Sequence, residues 1–162
     1  MKTVTIQKCV HYYGDEPLKA LERALEPLGG MERFVRPGQT VLLKPNLLRR
    51  SRPEELVTTH PAVVRAAVEL VKRAGGKPVI GDSPGAALAH TRNTLLKLYR
   101  ACGLERVARE TGAGLALEPG QHTVPLPRGR TVKRIEIIDC ALKADVIISL
   151  AKLKTHSFTL LT

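Results

Sequence analysis

The chain has no tryptophan, only two phenylalanines and three tyrosines, and three cysteines that stand far from one another. With so few aromatics, leucine, valine and alanine must build the core, and little is left to stack on nucleic-acid bases. Cys9, Cys102 and Cys140 form no C-x-x-C pair. That argues against a disulfide framework and against a self-contained zinc or iron–sulfur site, so no metal ligand is assigned. The three are expected to be buried free thiols. No apolar run reaches the roughly 18 residues that span a bilayer. The opening Met1-Lys2-Thr3-Val4-Thr5-Ile6 has no apolar signal core, so a cytoplasmic location with no membrane partner is expected.

Positive charge is what the chain has in excess: 26 Lys and Arg against 15 Asp and Glu, a net +11. A basic nucleic-acid-binding or regulatory module is the alternative function this charge suggests. The basic residues are nevertheless spread along the chain, with Arg49-Arg50-Ser51-Arg52 as the tight cluster, so a solvated basic surface is the simpler explanation and nucleic acid is not the expected partner. The 162 residues and the 43% hydrophobic content suit a single globular domain over residues 1–162.

The patterning of apolar residues predicts an α/β fold. Residues 3–9 alternate and predict a first strand. Asp15 is expected to cap a helix whose stripe is Leu18, Leu21, Leu25 and Leu28, stopped at Gly29-Gly30. Residues 40–44 hold a continuous apolar run, Val41-Leu42-Leu43, as in a strand buried on both faces. Pro61 opens a second helix with Val63, Val64, Ala67, Val68 and Val71 on its inner side, and residues 78–80 form the next strand. Helices are predicted over residues 92–101 and 104–111, a strand near residues 115–117, and a hairpin from residues 123–126 and 132–138. Residues 145–150 read as the clearest buried strand. Strands alternating with helices predict a mainly parallel, Rossmann-like three-layer sheet with helices on both faces. Only a short tail follows the last strand, so the domain is expected to be incomplete at its C-terminus, its edge covered by a homo-oligomeric contact or a partner subunit.

Ligands of open parallel sheets bind beyond the carboxyl ends of the strands. Three polar motifs fall there: Lys44-Pro45-Asn46, Gly81-Asp82-Ser83-Pro84-Gly85 and Lys152-Leu153-Lys154-Thr155-His156; a fourth, Thr58-Thr59-His60-Pro61, sits at a helix N-terminus that could face the same crevice. Each has a plain structural reading as a strand end, an Asx turn, a helix cap or a tight turn. Neither a dinucleotide fingerprint nor a P-loop is present. In combination, Lys44, Lys152 and Lys154 would bring positive charge to one rim. Asn46, Thr59 and Ser83 would add hydrogen bonds, and free backbone N–H groups at the second helix and around Gly81 to Gly85 would favour an anion. Asp82, His60 and His156 are the candidate acid or base groups; the three could also hold a divalent metal, which their spacing in sequence does not establish. The expected ligand is an anionic small molecule or cofactor.

These motifs, with Ile6-Gln7-Lys8-Cys9, Leu28-Gly29-Gly30, Val35-Arg36-Pro37-Gly38, Val41-Leu42-Leu43-Lys44-Pro45-Asn46-Leu47-Leu48 and Ala144-Asp145-Val146-Ile147-Ile148-Ser149-Leu150, give a resemblance to the domain of unknown function 362 family along the whole chain. The resemblance implies an iron–sulfur-associated, redox-linked protein, because such family members carry a ferredoxin-type segment after this domain. This chain departs from that pattern at Leu160-Leu161-Thr162, where the family continues. It therefore resembles the N-terminal part only, and a [4Fe–4S] centre is implied only for a segment it lacks. The expected function is a ligand-binding α/β domain of such a protein, with a truncated, non-functional fragment as a further alternative.

Overall fold

The computed structural model describes residues 2–85, 88–156 and 160–161. Its strands are β1 (Thr40–Pro45), β2 (Lys77–Ile80), β3 (Gly114–Leu115), β4 (Gln121–Pro125), β5 (Arg134–Ile138), β6 (Val146–Leu150), β7 (Thr155–His156) and β8 (Leu160–Leu161). Four of them form one parallel sheet in the order β3-β2-β1-β6, while β4 and β5 make an antiparallel hairpin and β7 pairs with β8. The α/β layering read from the sequence is what the chain adopts.

Helices α1 (Glu16–Leu25), α2 (Pro61–Arg73), α3 (Arg92–Ala101) and α4 (Leu104–Thr111) flank the sheet, and a short α5 (Asp139–Leu142) precedes β6. Pairing between β1, β2 and β6 is in register, so Val41, Leu43, Ile80, Val146, Ile148 and Leu150 lie on one face. They join Val64, Val68 and Val71 of α2, Leu95 and Leu98 of α3, and Leu104 and Val107 of α4 in a single core. Periodicity placed α3 and α4 well because the break between them is dictated locally: Gly103 turns the chain with φ of 75°, a value glycine reaches without steric cost. The opposite face carries Leu42, Val79 and Ile147, and there α5 brings Cys140 beside Leu42 around a cleft of 360 Å³.

Three local expectations are corrected. Residues 3–9 form no strand: Val4 and Ile6 are 85% and 90% exposed, and the segment is tied to the outside of α1 by the Thr5 hydroxyl donating to the Ala24 carbonyl at 2.7 Å. Alternation gives a segment two faces, but a strand also needs a neighbour to bond to, and among the described residues the sheet ends at β6. Nor is β6 a buried strand. Among the described residues it pairs only with β1, at the edge of the sheet, and Ile147 is 51% exposed. Asp15, finally, does not cap α1 with its side chain, because its own backbone is helical and Pro17, at the second helical position, has no N–H to offer.

Cys102 is buried as expected, whereas Cys140 is half-buried and Cys9 is exposed with the segment that carries it. Of the expected uncovered tail, residues 157–159 and 162 lie outside the described residues.

The division between core and rim sets an energetic contrast. Truncating the fully buried Leu98 to alanine should cost about 2–5 kcal/mol in urea unfolding. Ile6→Ala should change stability by less than about 0.5 kcal/mol, the usual range at exposed positions. A large loss at Ile6 would mean that the first segment is packed after all.

Candidate functional site

Because β1, β2 and β6 run parallel, their carboxyl ends meet at one edge of the sheet. Asp82, two residues beyond β2, is the anchor there. It is 7% exposed, and its carboxylate is matched on both oxygens. Oδ1 pairs with Lys44 Nζ at 2.7 Å, and Oδ2 accepts the Leu47 N–H at 2.9 Å. The Asp82 N–H in turn donates to the Tyr99 hydroxyl at 3.3 Å. Burial pushes the Asp82 carboxyl above its ordinary value, against the opposing pull of Lys44 and of the Leu47 and Ser83 backbone N–H groups. Burial likewise raises Tyr99.

A second knot joins β1, the entry to α2 and β6. The Thr59 hydroxyl donates to the Leu150 carbonyl at 2.6 Å and accepts the Asn46 N–H at 2.8 Å. The Asn46 side chain donates to the Val57 carbonyl at 3.2 Å, so it bridges two loops where an Asx turn was expected. With its hydroxyl engaged in this way, Thr59 does not cap α2. His60 does: Nδ1 accepts the Ala62 N–H at 3.2 Å. The His60 ring stacks on Tyr12, with centroids 4.0 Å apart and planes 13° from parallel. Burial lowers its pKa, Lys152 adds to that, and Glu54 opposes it.

The sequence-derived residues therefore fall into linked groups. Lys44, Asp82 and Ser83 gather at the ends of β1 and β2, Asn46 and Thr59 between β1 and β6, and His60 near Lys152. Lys154 and His156 lie on the continuing segment, His156 within β7. Leu47, Tyr12 and Tyr99 were missed as parts of this arrangement. Leu47 and Tyr99 act through a backbone N–H and a long-range hydroxyl, which leave no sequence signal. The Tyr12-Tyr13 pair, in a chain so short of aromatics, was the available hint for Tyr12.

One expectation about charge is corrected. The backbone N–H groups meant to receive an anion are already occupied. Ala62 donates to His60 Nδ1, and Val63 and Val64 donate to the His60 carbonyl. Gly81 donates to Leu43, Asp82 to Tyr99, and Gly85 to Leu48. At Gly85 a Cβ would stand 2.6 Å from the Leu48 carbonyl oxygen, so glycine is needed for these loops to touch. Attraction for an anion must come from side chains, of which Lys44 is already paired.

Elsewhere the basic surplus is dispersed. Arg65 pairs with Glu110, Arg73 with Glu22, Arg92 with Glu118 and Arg100 with Glu105. A 620 Å³ cleft between α1 and α2 is lined by some of these paired groups and lies away from the strand ends. Among the described residues no three His, Cys, Asp or Glu side chains are grouped to hold a metal. Cys9, Cys102 and Cys140 do not come together, so the residues present do not fit a [4Fe–4S] cluster. No helix among the described residues is long and apolar enough to cross a membrane.

Residues 41–162 match the family described as Domain of unknown function (DUF362). The chain is also 37% identical over 160 residues to a thylakoid-associated protein of Synechocystis sp., an alignment that covers 97% of this chain and 46% of that protein. It thus spans less than half the length of this curated relative. No solved structure matches.

Two measurements probe the knots. A raised carboxyl pKa gives stability that is fully present below the unfolded value of 3.8 and is lost as pH rises through the folded value. Thermal unfolding from acid to neutral pH should therefore show the native chain losing stability relative to Asp82→Asn. A gap that stays constant with pH would mean Asp82 is not shifted upward. Separately, Thr59→Val should cost about 1–3 kcal/mol by stranding buried backbone groups, and Thr59→Ser should recover most of it.

Proposed function

The chain belongs to the family described as Domain of unknown function (DUF362), and within it we propose a ligand-binding α/β domain that holds an anionic small molecule or cofactor beyond the carboxyl ends of β1, β2 and β6. One observation carries this reading. The Asp82 and Thr59 knots tie three strand-end loops into one rim, and Lys44 and the Lys152-Leu153-Lys154 segment lie on it. Lys44 remains 43% exposed while its ammonium is held by Asp82, so it is oriented more than it is neutralised. Lys152 and Lys154 are half-buried and supply the attraction for the anion.

Within this reading Asp82 is a positioning group. Both of its oxygens are engaged, which suits holding Lys44 in place better than taking a proton. The iron–sulfur association and the cytoplasmic location belong to the same proposal. The Synechocystis relative is a thylakoid-associated protein, which is compatible with a domain that works beside a membrane. Because the cysteines of this chain do not fit a cluster, no redox step is assigned to its residues.

The test is thermal unfolding of the full chain in inorganic phosphate or citrate, against sodium chloride at equal ionic strength. Anion at ten times its Kd should stabilise the fold by about 1.4 kcal/mol. The Lys152→Gln, Lys154→Gln double variant should abolish that gain with little change in the anion-free Tm. If chloride stabilises equally, or the double variant responds like the native chain, the strand-end rim is not an anion site.

A further inference from the structure

The two nitrogens of His60 are not equivalent. Nδ1 accepts the Ala62 N–H, so its lone pair is used by the backbone, and the single proton of the neutral ring must sit on Nε2. Stacking on Tyr12 fixes the plane of the ring. The charged groups facing it are Lys152, from the segment after β6, and Glu54, from the turn at Pro53–Glu55. Among the described residues no acceptor takes the Nε2 proton.

We propose that His60 divides its ring between two tasks: Nδ1 closes the first turn of α2, and Nε2–H is the donor that receives an oxyanion, carboxylate or phosphate, of the ligand beside Lys152. This rests on the strand-end reading and sharpens it. The neutral imidazole is a hydrogen-bond donor to an already deprotonated ligand. It cannot serve as a general base at the same time, since Nε2 has no free lone pair and that of Nδ1 is engaged. Sequence reasoning put His60 among candidate acid or base groups; its place as a helix cap favours the narrower role. A lowered pKa agrees with a ring that stays neutral near pH 7. The arrangement also joins binding to folding, because the residue that receives the ligand is the one that ends the loop from the Thr59 knot.

The experiment is nitrogen-15 NMR of the full chain, with inorganic phosphate and citrate as separate probes. The free protein should show His60 as the Nε2–H tautomer, titrating below 6.5. The probe whose chemistry matches the site should shift Nε2 and raise that pKa, because a bound anion favours the imidazolium. Two variants separate the tasks. His60→Asn keeps an acceptor near the position of Nδ1 and removes the donor, so it should hold the Tm within a few degrees and weaken probe binding about tenfold, the worth of one hydrogen bond to a charged group. His60→Gln reaches toward the position of Nε2 without the cap, so it should lower the Tm and keep more of the affinity.

An Nδ1–H tautomer in the free protein overturns the proposal. So does phosphate or citrate that perturbs the Lys152 and Lys154 amides while leaving Nε2 unmoved and His60→Asn at full affinity; the strand-end reading would then stand without it. If neither probe perturbs the lysines or His60, both fall together.

Discussion

A carboxylate withdrawn from water has to be matched by donors, or the fold that buries it does not form. Asp82 is in that position, and meeting its demand shapes the end of the sheet. Lys44 must turn toward it from the end of β1, the Leu47 N–H must point at it from the next loop, and Tyr99 must reach its backbone from α3. One residue after β2 thus sets where the chain leaving β1 can run. The Leu48 carbonyl then meets the Gly85 N–H, and only a glycine tolerates that approach.

The Thr59 hydroxyl completes the frame from the other side. It links β1 to β6 through one oxygen, and by being engaged there it leaves the cap of α2 to His60. This economy has a chemical result. Nearly every strand-end N–H group named above is used to hold the loops to one another, so the rim is rigid but offers few free backbone donors. What the proposed ligand would meet is side-chain chemistry, ammonium groups and the His60 imidazole N–H among it. A phosphate-cradling loop of the glycine-rich kind keeps its N–H groups free instead, which is the physical difference between this site and a nucleotide fingerprint.

Much of the architecture was legible because local rules decide it. The continuous apolar run at Val41-Leu42-Leu43, the proline that starts α2 and the glycine between α3 and α4 each act within a few residues of themselves. Members of the candidate site could be chosen for the same reason: parallel strands put their carboxyl ends together wherever they pair, so Lys44, Asp82 and Lys152 share an edge. The misread parts depend on neighbours distant in sequence. The alternation of residues 3–9 and the apolar residues of β6 describe what those segments could bury, not whether another strand lies beside them. In the fold one segment rests against α1 and the other lies at the edge of the sheet.

From the sequence alone came most of the helices and strands of the sheet, the parallel layering and the set of polar residues at the strand ends, because hydrophobic period, proline and glycine act over short distances. Which hydroxyl would bridge and which imidazole would cap, whether a lysine would be free or paired, and which strand would be the edge were settled only by tertiary structure. Each of these depends on a hydrogen-bonding group having one best partner, and that partner comes from another part of the chain.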